Sequence, residues 1–470
     1  MSAQTVEAAV GVDKEAVAAL QARLRGQLVR AGDDGYEEAR SIYNAMIDRR
    51  PALIVRCAGV ADVIEAVTFA RRTGLELAVR GGGHNVSGSA LCEGGIVVDL
   101  SPMKGIWVDA GKRTARVEAG LTWKDVNHEL QAFGLGATGG VIGTTGVPGL
   151  TLGGGLGWMA RKHGLACDNL LAIDLVSADG TPIRASESEN ADLFWGVRGG
   201  GGNFGIATSF EFRVHPAGIV LAGLLAYPIE QAGEFLRAWR AFEANAPEEW
   251  TGGAVLLTAP PAPFVPEQFH GHPVIGLAGV YTGPIEEGET LLQPLREFAE
   301  PVVDLIQPMP YSAAQTMIDA LYPAGVHNYW KAQYLPGISD QLIDTMLAHF
   351  ARVPSPLTSV VLEHNGDGAI NRIPSEATAF GYRDHSYILI IMSLWPDPGD
   401  SERNVSWTRE LYDALKPFTR PGIYVNYLGQ EGEDRVKEAY GNKYPRLVAL
   451  KNKYDPTNFF HFNQNIPPTT

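Results

Sequence analysis

The sequence predicts a fold of mixed helices and strands in two or three domains, and three observations carry this prediction. The chain has 470 residues, and a domain usually takes about 100–200 of them. Short strand-like runs and amphipathic helical runs alternate along the chain. Glycine is crowded into three segments that all precede His215 and Pro216. A domain boundary is therefore predicted at this pair.

The first half of the chain alternates between predicted helices and strands. An amphipathic run begins at Asp62 with a capping-box pattern, extends to Thr73 and is followed by Gly74, which is typical of a helix. A second helix is predicted after Thr122 and a third around residues 192–195. Strands are predicted over residues 75–80, 94–101, 113–120, 170–180 and 208–214.

The middle section, residues 217–415, predicts a sheet backed by helices. Its apolar, strand-like runs are separated by amphipathic stretches that have helical spacing. The predicted strands are 218–227, 273–281, 357–363 and 386–394, and the predicted helices lie near 230–244, 285–299 and 339–352. The last 50 or so residues return to short motifs, including a stretch rich in aromatic and amide side chains at 453–468.

Composition excludes several classes of protein. Lys and Arg number 38 against 53 Asp and Glu, which gives a net charge of −15 and argues against nucleic acid or an anionic membrane as a partner. Cys57, Cys92 and Cys167 are too widely spaced for a disulfide framework or a zinc site. His270 and His272 lack a third ligand, so no metal is expected. The first 20 residues do not resemble a signal peptide, and we expect a cytoplasmic protein.

Glycine clustering is the most informative feature of the composition. Of the 54 glycines, 23 lie within residues 81–95, 134–157 and 196–205. Glycine costs backbone entropy, so close approach of the backbone to a ligand explains three such clusters better than tight turns alone. The sequence has neither a Rossmann fingerprint nor a P-loop. Backbone N–H groups at residues 80–85 and 143–146 could still bind a pyrophosphate. A dinucleotide held without a Rossmann fold is therefore predicted.

Four long motifs carry a family resemblance. They are RGGGHN at 80–85, the glycine-rich segment 138–171, DLFWGVRGGGGNFGIAT at 192–208 and YDPTNFFHFNQNIPP at 454–468. In order and spacing they resemble the FAD-linked oxidases of the vanillyl-alcohol-oxidase superfamily, within the berberine-bridge-enzyme-like branch. The resemblance implies an α+β fold, in which a PCMH-type FAD-binding domain of two α+β subdomains is joined to a substrate domain with an antiparallel sheet backed by helices.

The resemblance also implies domain limits. Residues 1–216 are expected to form the FAD-binding domain, with its core at about 45–216. Residues 217–415 are expected to form the substrate-binding domain. Residues 416–470 are expected to return to the FAD domain as a berberine-bridge-like C-terminal segment.

Carried over residue by residue, the resemblance assigns His84 as the covalent 8α-histidyl link to FAD. Many relatives have a second link through a cysteine, but Ile142 stands at that position, so a single link is expected. Thr145 replaces the small aliphatic side chain that oxygen-reactive relatives often carry there. The expected cofactor-binding residues are His84, Arg80, Gly81, Gly82, Gly83, Asn85, Ser87, Gly88, Thr144, Thr145, Gly146, Gly149, Gly153, Gly157, Gly205, Ile206, Asn463 and Asn465.

Tyr424 aligns with the tyrosine that relatives use as a catalytic base, and this role is expected in preference to packing against the flavin. Tyr427 is expected to pack in the core, and Asn426 to support the flavin or orient Tyr424. Strand alternation allows at most one of Glu363 and His364 to face the substrate. The substrate-pocket candidates are Tyr329, Lys331, Glu363, His364 and Asn426.

The resemblance implies an oxidoreductase, expected to be an oxidase. It would take a hydride from a small alcohol, phenol or amine to flavin N5 and reduce O2 to hydrogen peroxide. A flavin dehydrogenase, an oxidative-rearrangement enzyme and a carbohydrate oxidase on the same scaffold stay open, as does a non-catalytic flavin-binding protein. The expected partners are a small organic substrate and O2, without nucleic acid or membrane, and the chain is expected to be a monomer or homodimer.

Overall fold

The computed structural model describes residues 13–469, so residues 1–12 of the predicted first domain lie outside the described residues. The first unit is a four-stranded sheet in the order β1-β2-β4-β3. Its central strands are parallel, and β1 is antiparallel at the edge. The elements are α1 (Lys14–Gln21), β1 (Gln27–Arg30), α2 (Tyr36–Arg40), β2 (Leu53–Arg56), α3 (Val60–Thr73), β3 (Leu77–Arg80) and β4 (Ile96–Asp99).

Helix α3 begins two residues earlier than the capping-box pattern predicted. Its N-cap is Gly59, and Asp62 is instead a buried acceptor within the first turn. The Asp62 carboxylate accepts hydrogen bonds from the backbone N–H groups of Arg25 (2.8 Å), Gly26 (2.9 Å) and Ala58 (2.7 Å). The predicted end is confirmed, because Gly74 adopts a φ of 72° as the C-cap.

The second unit is a five-stranded antiparallel sheet in the order β5-β6-β10-β8-β9. The second glycine segment, residues 134–157, lies between β6 and β8 and is folded into turns, a two-residue strand and one short helix. The strands of the sheet are β5 (Ile106–Asp109), β6 (Thr114–Glu118), β8 (Leu170–Val176), β9 (Pro182–Ser186) and β10 (Ile206–Arg213). Two further strands, β7 (Leu135–Gly136) and β11 (His215–Pro216), pair with each other in a separate two-stranded sheet. The helices are α4 (Trp123–Gln131), α5 (Val147–Leu152), α6 (Ala160–His163) and α7 (Ala191–Val197).

The third unit is an eight-stranded antiparallel sheet in the order β15-β12-β14-β13-β18-β19-β17, with β16 also paired to β12. Its strands are β12 (Ile219–Pro228), β13 (Trp250–Thr258), β14 (Pro273–Tyr281), β15 (Val303–Asp304), β16 (Gln307–Pro310), β17 (His327–Leu335), β18 (Ser359–His364) and β19 (Tyr387–Trp395). The sequence did not predict β13 or β17. The Gly252–Gly253 pair weakens the strand signal of β13, and β17 is polar along its exposed edge.

Helices cover one face of this sheet and enclose a core that includes Leu225, Trp239 and Leu277. They are α8 (Ala232–Glu243), α9 (Ile285–Arg296), α11 (Asp340–Phe350) and α13 (Ser401–Leu415). Two short helices, α10 (Tyr311–Ala314) and α12 (Ala369–Arg372), belong to other clusters of the core. The opposite face turns toward the first two units. The α+β class and the helix-backed sheet are confirmed, whereas the residue limits of the domains stay a prediction.

The C-terminal segment packs against the third glycine cluster. It contains α14 (Glu433–Tyr440) and α15 (Tyr444–Tyr454). The buried Lys451 ammonium donates hydrogen bonds to the carbonyls of Asn203 (2.9 Å) and Phe460 (2.9 Å) and to the Asp455 carboxylate (2.7 Å). The Ile466 N–H in turn donates to the Asn203 side chain (3.0 Å). Within residues 13–469, no helix is long and apolar enough to cross a bilayer.

Candidate active site

A cavity of about 400 Å³ lies between the exposed face of the eight-stranded sheet and the glycine segments. All three glycine clusters, the sheet and the C-terminal segment contribute to its wall. The predicted site residues on this wall are His84, Gly81, Gly82, Gly83, Asn85, Thr145, Gly146, Gly149, Gly153, Gly157, Gly205, Ile206, Asn463, Glu363, Tyr424 and Asn426.

Five predicted cofactor residues lie behind the wall rather than on it. Arg80 donates to the Ala39 carbonyl, and the Ser87 N–H donates to the Asn85 side chain (2.8 Å). These contacts hold the first glycine loop in place. The five residues are Arg80, Ser87, Gly88, Thr144 and Asn465.

The glycine loops are shaped by contact with each other as well as by the cavity. A Cβ at Gly82 would lie 2.5 Å from the Gly146 nitrogen, and a Cβ at Gly146 would collide with the Gly82 nitrogen in the same way. A Cβ at Gly81 would lie 2.5 Å from Pro148. Gly149, by contrast, has open space at its Cβ position. Ligand approach is therefore only part of the reason for the glycines, because the two loops also meet backbone to backbone.

Several polar groups on the wall have no partner within the protein. Among the described residues, the backbone N–H groups of Gly82, Gly83, His84 and Asn85 donate no hydrogen bond to another residue. The Nε2 atom of His84 and the Oδ1 atom of Asn463 are buried without a partner. Buried polar groups are normally paired. A row of free N–H groups fits the pyrophosphate of the FAD that the resemblance implies, so the residues present fit this cofactor.

The His84 ring is fixed in position and electrically neutral. It stacks on Tyr43 with ring centroids 4.0 Å apart and an interplanar angle of 19°. The loop is also tied to Tyr43, whose N–H donates to the Gly83 carbonyl (3.0 Å). Burial lowers the pKa of His84 to about 4. A neutral imidazole with an available nitrogen at physiological pH is the form that can act as a nucleophile.

The Tyr424 oxygen is held by the second glycine segment. It accepts hydrogen bonds from the N–H groups of Gly155 (2.9 Å) and Leu156 (3.3 Å) and from the Asn426 amide (2.7 Å). Burial raises the pKa of Tyr424, although these three donors oppose the shift. The phenol is therefore protonated at neutral pH, and its oxygen is turned toward the backbone. Asn426 also donates to the Leu150 carbonyl (3.0 Å), which fixes its position beside Tyr424.

Glu363 and Tyr427 form a hydrogen-bonded pair on the cavity wall. The Tyr427 hydroxyl donates to the Glu363 carboxylate at 3.1 Å (Oε1) and 3.3 Å (Oε2), and the Asn365 amide donates to Oε2 at 3.2 Å. Burial raises the pKa of Glu363 to about 7, while these donors oppose the shift. A carboxyl group with this pKa can accept a proton at neutral pH.

The cavity wall includes aromatic residues that were not among the predicted site residues, and Tyr427 is one of them. Tyr427 was expected in the core, but residues 425–427 form a 3₁₀ turn, so positions 424 and 427 face the same side. That three-residue spacing is a signal that the sequence contains. Trp330 contacts Tyr427 edge-on at 6.5 Å and Tyr43 at 6.3 Å.

Three predicted pocket residues do not line the cavity. Because β17 alternates, Trp330 faces the cavity while Tyr329 and Lys331 face the opposite side of the sheet. Lys331 pairs there with Glu431 at 2.7 Å, and Tyr329 accepts a hydrogen bond from Arg409 (3.2 Å). His364 likewise points away from Glu363.

His364 belongs to a buried ionic cluster behind the sheet. Its Nδ1 atom lies 2.6 Å from the carboxylate of Glu243 on α8, and its ring stacks on Tyr387 at 4.6 Å. The same Glu243 carboxylate accepts a hydrogen bond from the Trp250 indole (2.9 Å). The prediction that at most one of the pair at 363 and 364 faces the substrate matches this geometry.

Two protein families match the chain, one in its N-terminal half and one near its C-terminus. The FAD-binding-domain family matches residues 51–186. The berberine and berberine-like family matches residues 423–467. Together they include the first two glycine clusters, Tyr424 and Asn463.

Similar proteins cover nearly the whole chain. An FAD-linked oxidoreductase of Dictyostelium discoideum is 31% identical over 449 residues, which is 95% of each chain. The (R)-6-hydroxynicotine oxidase of Paenarthrobacter nicotinovorans is 30% identical over 463 residues, which covers 95% of this chain and 97% of the relative. The crystal structure of 6-hydroxy-D-nicotine oxidase from Arthrobacter nicotinovorans superimposes with a TM-score of 0.84 at 28% identity, covering 95% of this chain and 98% of that structure.

These relationships agree with the geometry of the cavity. The glycine loops present N–H groups and a histidine within the range that the FAD-binding family matches. Tyr424 and Asn463, within the range that the berberine-like family matches, line the same cavity. The chain belongs to the berberine-bridge-enzyme-like family of FAD-linked oxidoreductases, and it is an FAD-dependent oxidoreductase.

Proposed function

We propose that the protein oxidises a small organic alcohol, phenol or amine and passes the electrons to O2. The observation that carries this proposal is the Glu363–Tyr427 pair, a buried base with a pKa of about 7 on the wall of the FAD cavity. Oxidation of an alcohol or amine requires loss of an O–H or N–H proton together with a hydride. FAD supplies the hydride acceptor when it is bound.

In this proposal Glu363 removes the proton and Tyr427 positions the substrate. Glu363 lies on β18, where it pairs with Gly253 on one side and Ile388 on the other, so its position depends little on loop motion. The Tyr427 hydroxyl, which donates to Glu363 in the structure, can rotate to donate to the substrate oxygen or nitrogen. We assign Tyr424 to a supporting role instead of the predicted role of base, because burial raises the pKa of its phenol above the ordinary value and so keeps it protonated at neutral pH.

We propose further that His84 carries FAD through a covalent bond. Three features support this link: the imidazole is neutral, its Nε2 atom is unpaired, and its ring is fixed by stacking on Tyr43. Ile142 lies on the same wall where many relatives place a second, cysteinyl link, and its side chain offers no nucleophile. A single attachment is therefore expected.

Acid precipitation of the purified protein tests the covalent link. We expect a yellow pellet with flavin absorbance, because a covalent bond survives unfolding. In His84→Ala the colour should move to the supernatant, while Tyr43→Phe, which keeps the ring stack, should keep it in the pellet. A colourless pellet from the wild type would overturn the link but not FAD binding. Protein that takes up no flavin even after incubation with FAD would overturn the whole proposal.

The electron acceptor requires a separate measurement. We expect the protein, once reduced by a substrate or by dithionite, to recover its flavin absorbance rapidly in aerated buffer and to release peroxide in proportion. Stopped-flow absorbance and a peroxide assay would measure both. Recovery with a quinone or dye but not with O2 would identify a dehydrogenase on this scaffold. Thr145 on the cavity wall is the residue to vary in that case.

A further inference from the structure

The sheet has an apolar face that the protein leaves partly uncovered inside the cavity. On the helix side, Leu225, Leu256 and Leu277 are each about 1% exposed. On the cavity side of the same strands the side chains are also apolar, but they are only half-buried. They are Leu224, Ala226, Val255, Leu257 and Ala278. An apolar surface that stays open in this way indicates a binding site.

The strand register arranges these residues into a continuous row, which we call the apolar lane. Val361 lies opposite Val255, Val255 opposite Gly276, Gly276 opposite Ala226, and Ala226 opposite Val303. All five line the cavity. Neighbouring strands are about 4.8 Å apart, so the lane runs about 19 Å from the strand of Glu363 to the strand of Val303. Glu363 itself lies opposite Gly253, beside the start of the lane.

Small residues keep the middle of the lane open. Gly276 and Ala226 occupy the positions where larger side chains would fill the space above β14 and β12. A Cβ added at Gly276 would already lie 3.2 Å from Val255 and 3.3 Å from Leu257. At the far end the loop after β13 folds over the sheet, and Val265 packs with Val302 and Val303. Phe264 stands beside this end on the cavity wall and is 44% exposed.

The electrostatics of the cavity define which molecules suit this lane. Among the described residues that line the cavity there is no lysine or arginine, and Glu363 is its one carboxylate. The lane offers no polar side chain to pair with the hydroxyl groups of a sugar, and burying unpaired polar groups costs free energy. Anionic and highly hydroxylated substrates are therefore disfavoured. Glu363, Tyr427 and Asn365 form one hydrogen-bonded polar group beside the start of the lane.

We infer that the substrate is an elongated molecule with one hydroxyl or amino group at its head and an apolar body that extends along the lane. This inference rests on the proposed function, since it takes Glu363 as the site where the head group reacts. It narrows the substrate class from small organic molecules in general to apolar ones of extended shape. The inference also assigns Ala226 a role in substrate specificity, because its small side chain keeps the lane open.

Calorimetric titration of the holoprotein with 1-alkanols from 1-butanol to 1-dodecanol tests the inference without requiring turnover. We expect the Kd to fall about fourfold for each added methylene group, which corresponds to about 0.8 kcal/mol of apolar burial. In Ala226→Phe the new ring should block the lane. Affinity for 1-butanol should then stay unchanged, while the gain with chain length should stop at a shorter alkanol than in the wild type.

Two controls make the result decisive. Ala241→Phe places the same side chain on the exposed surface of α8 and should leave the whole series unchanged. Ala226→Leu gives a smaller block if the phenylalanine variant fails to fold. A Kd that does not depend on chain length in the wild type would overturn the inference, while flavin reduction by any alcohol or amine in the same preparation would leave the proposed function intact.

Discussion

Replacing Glu363 with Gln should slow reduction of the flavin by substrate about 10²- to 10⁴-fold, which is the range for loss of a general base. Glutamine keeps the shape and the hydrogen bonds to Tyr427 and Asn365 but cannot accept a proton. Flavin content should not change, because Glu363 lies on the sheet and not in the glycine loops. Anaerobic stopped-flow absorbance would measure the rate, with flavin content checked beforehand in the same sample.

The pH dependence identifies the group responsible. Since the carboxylate form is the active one, the rate in the wild type should rise with pH through about 7, the pKa of Glu363, and then level off. This rise of the rate with pH, the pH limb, should be absent in Glu363→Gln.

In Tyr427→Phe the carboxylate of Glu363 loses a donor that stabilises its charged form, so the pKa of Glu363 and the pH limb should move to higher pH. Tyr424→Phe should leave the limb in place. Persistence of the limb in Glu363→Gln would assign the base to another group.

Replacing Lys451 with Ala should destabilise the protein by about 3–5 kcal/mol, the usual cost of removing one partner from a buried ion pair. The variant leaves the Asp455 carboxylate buried without its cation, and the Asn203 carbonyl loses its donor. The Phe460 carbonyl loses one of its two donors and keeps the Asn463 amide. Denaturant unfolding, monitored by circular dichroism, would measure the loss in the free energy of unfolding. Precipitation of the variant on expression would also indicate destabilisation.

Lys453 provides a matched control two residues away. It pairs with Asp192 at 2.6 Å, but its side chain is 58% exposed. Exposed pairs contribute little because water screens them, so Lys453→Ala should leave stability almost unchanged. Equal losses in the two variants would show that the charge of α15, and not the buried pair, is what matters.

The sequence predicted the cofactor half of the site better than the substrate half. The glycine loops depend on local backbone chemistry, so a motif such as residues 80–85 contains most of the information about their position. The pairing of Glu363 with Tyr427 joins residues 64 positions apart in the chain, and no local pattern records it. His364 and Lys331 were misplaced for a related reason. Each lies on a strand, and which face of the sheet its side chain occupies depends on how that strand pairs with its neighbours.

The fold shows the same division between local and long-range information. Gly74 ends α3 as predicted because a left-handed φ at a helix end is a local requirement. The start of α3 was misjudged because the Asp62 carboxylate accepts hydrogen bonds from a chain segment more than 30 residues away instead of capping the helix. Strand β13 was missed because its glycines weaken the local signal, although its pairing with β14 is complete from Trp250 to Thr258.

The anchoring of residues 455–466 beneath the third glycine cluster has a consequence for the assembly of the site. Among the described residues that line the cavity, Asn463 and Gln464 come last in the sequence. The cavity wall is therefore complete only once this segment has docked, however early the glycine loops fold. Chains truncated before residue 455 should therefore be recovered as apoprotein.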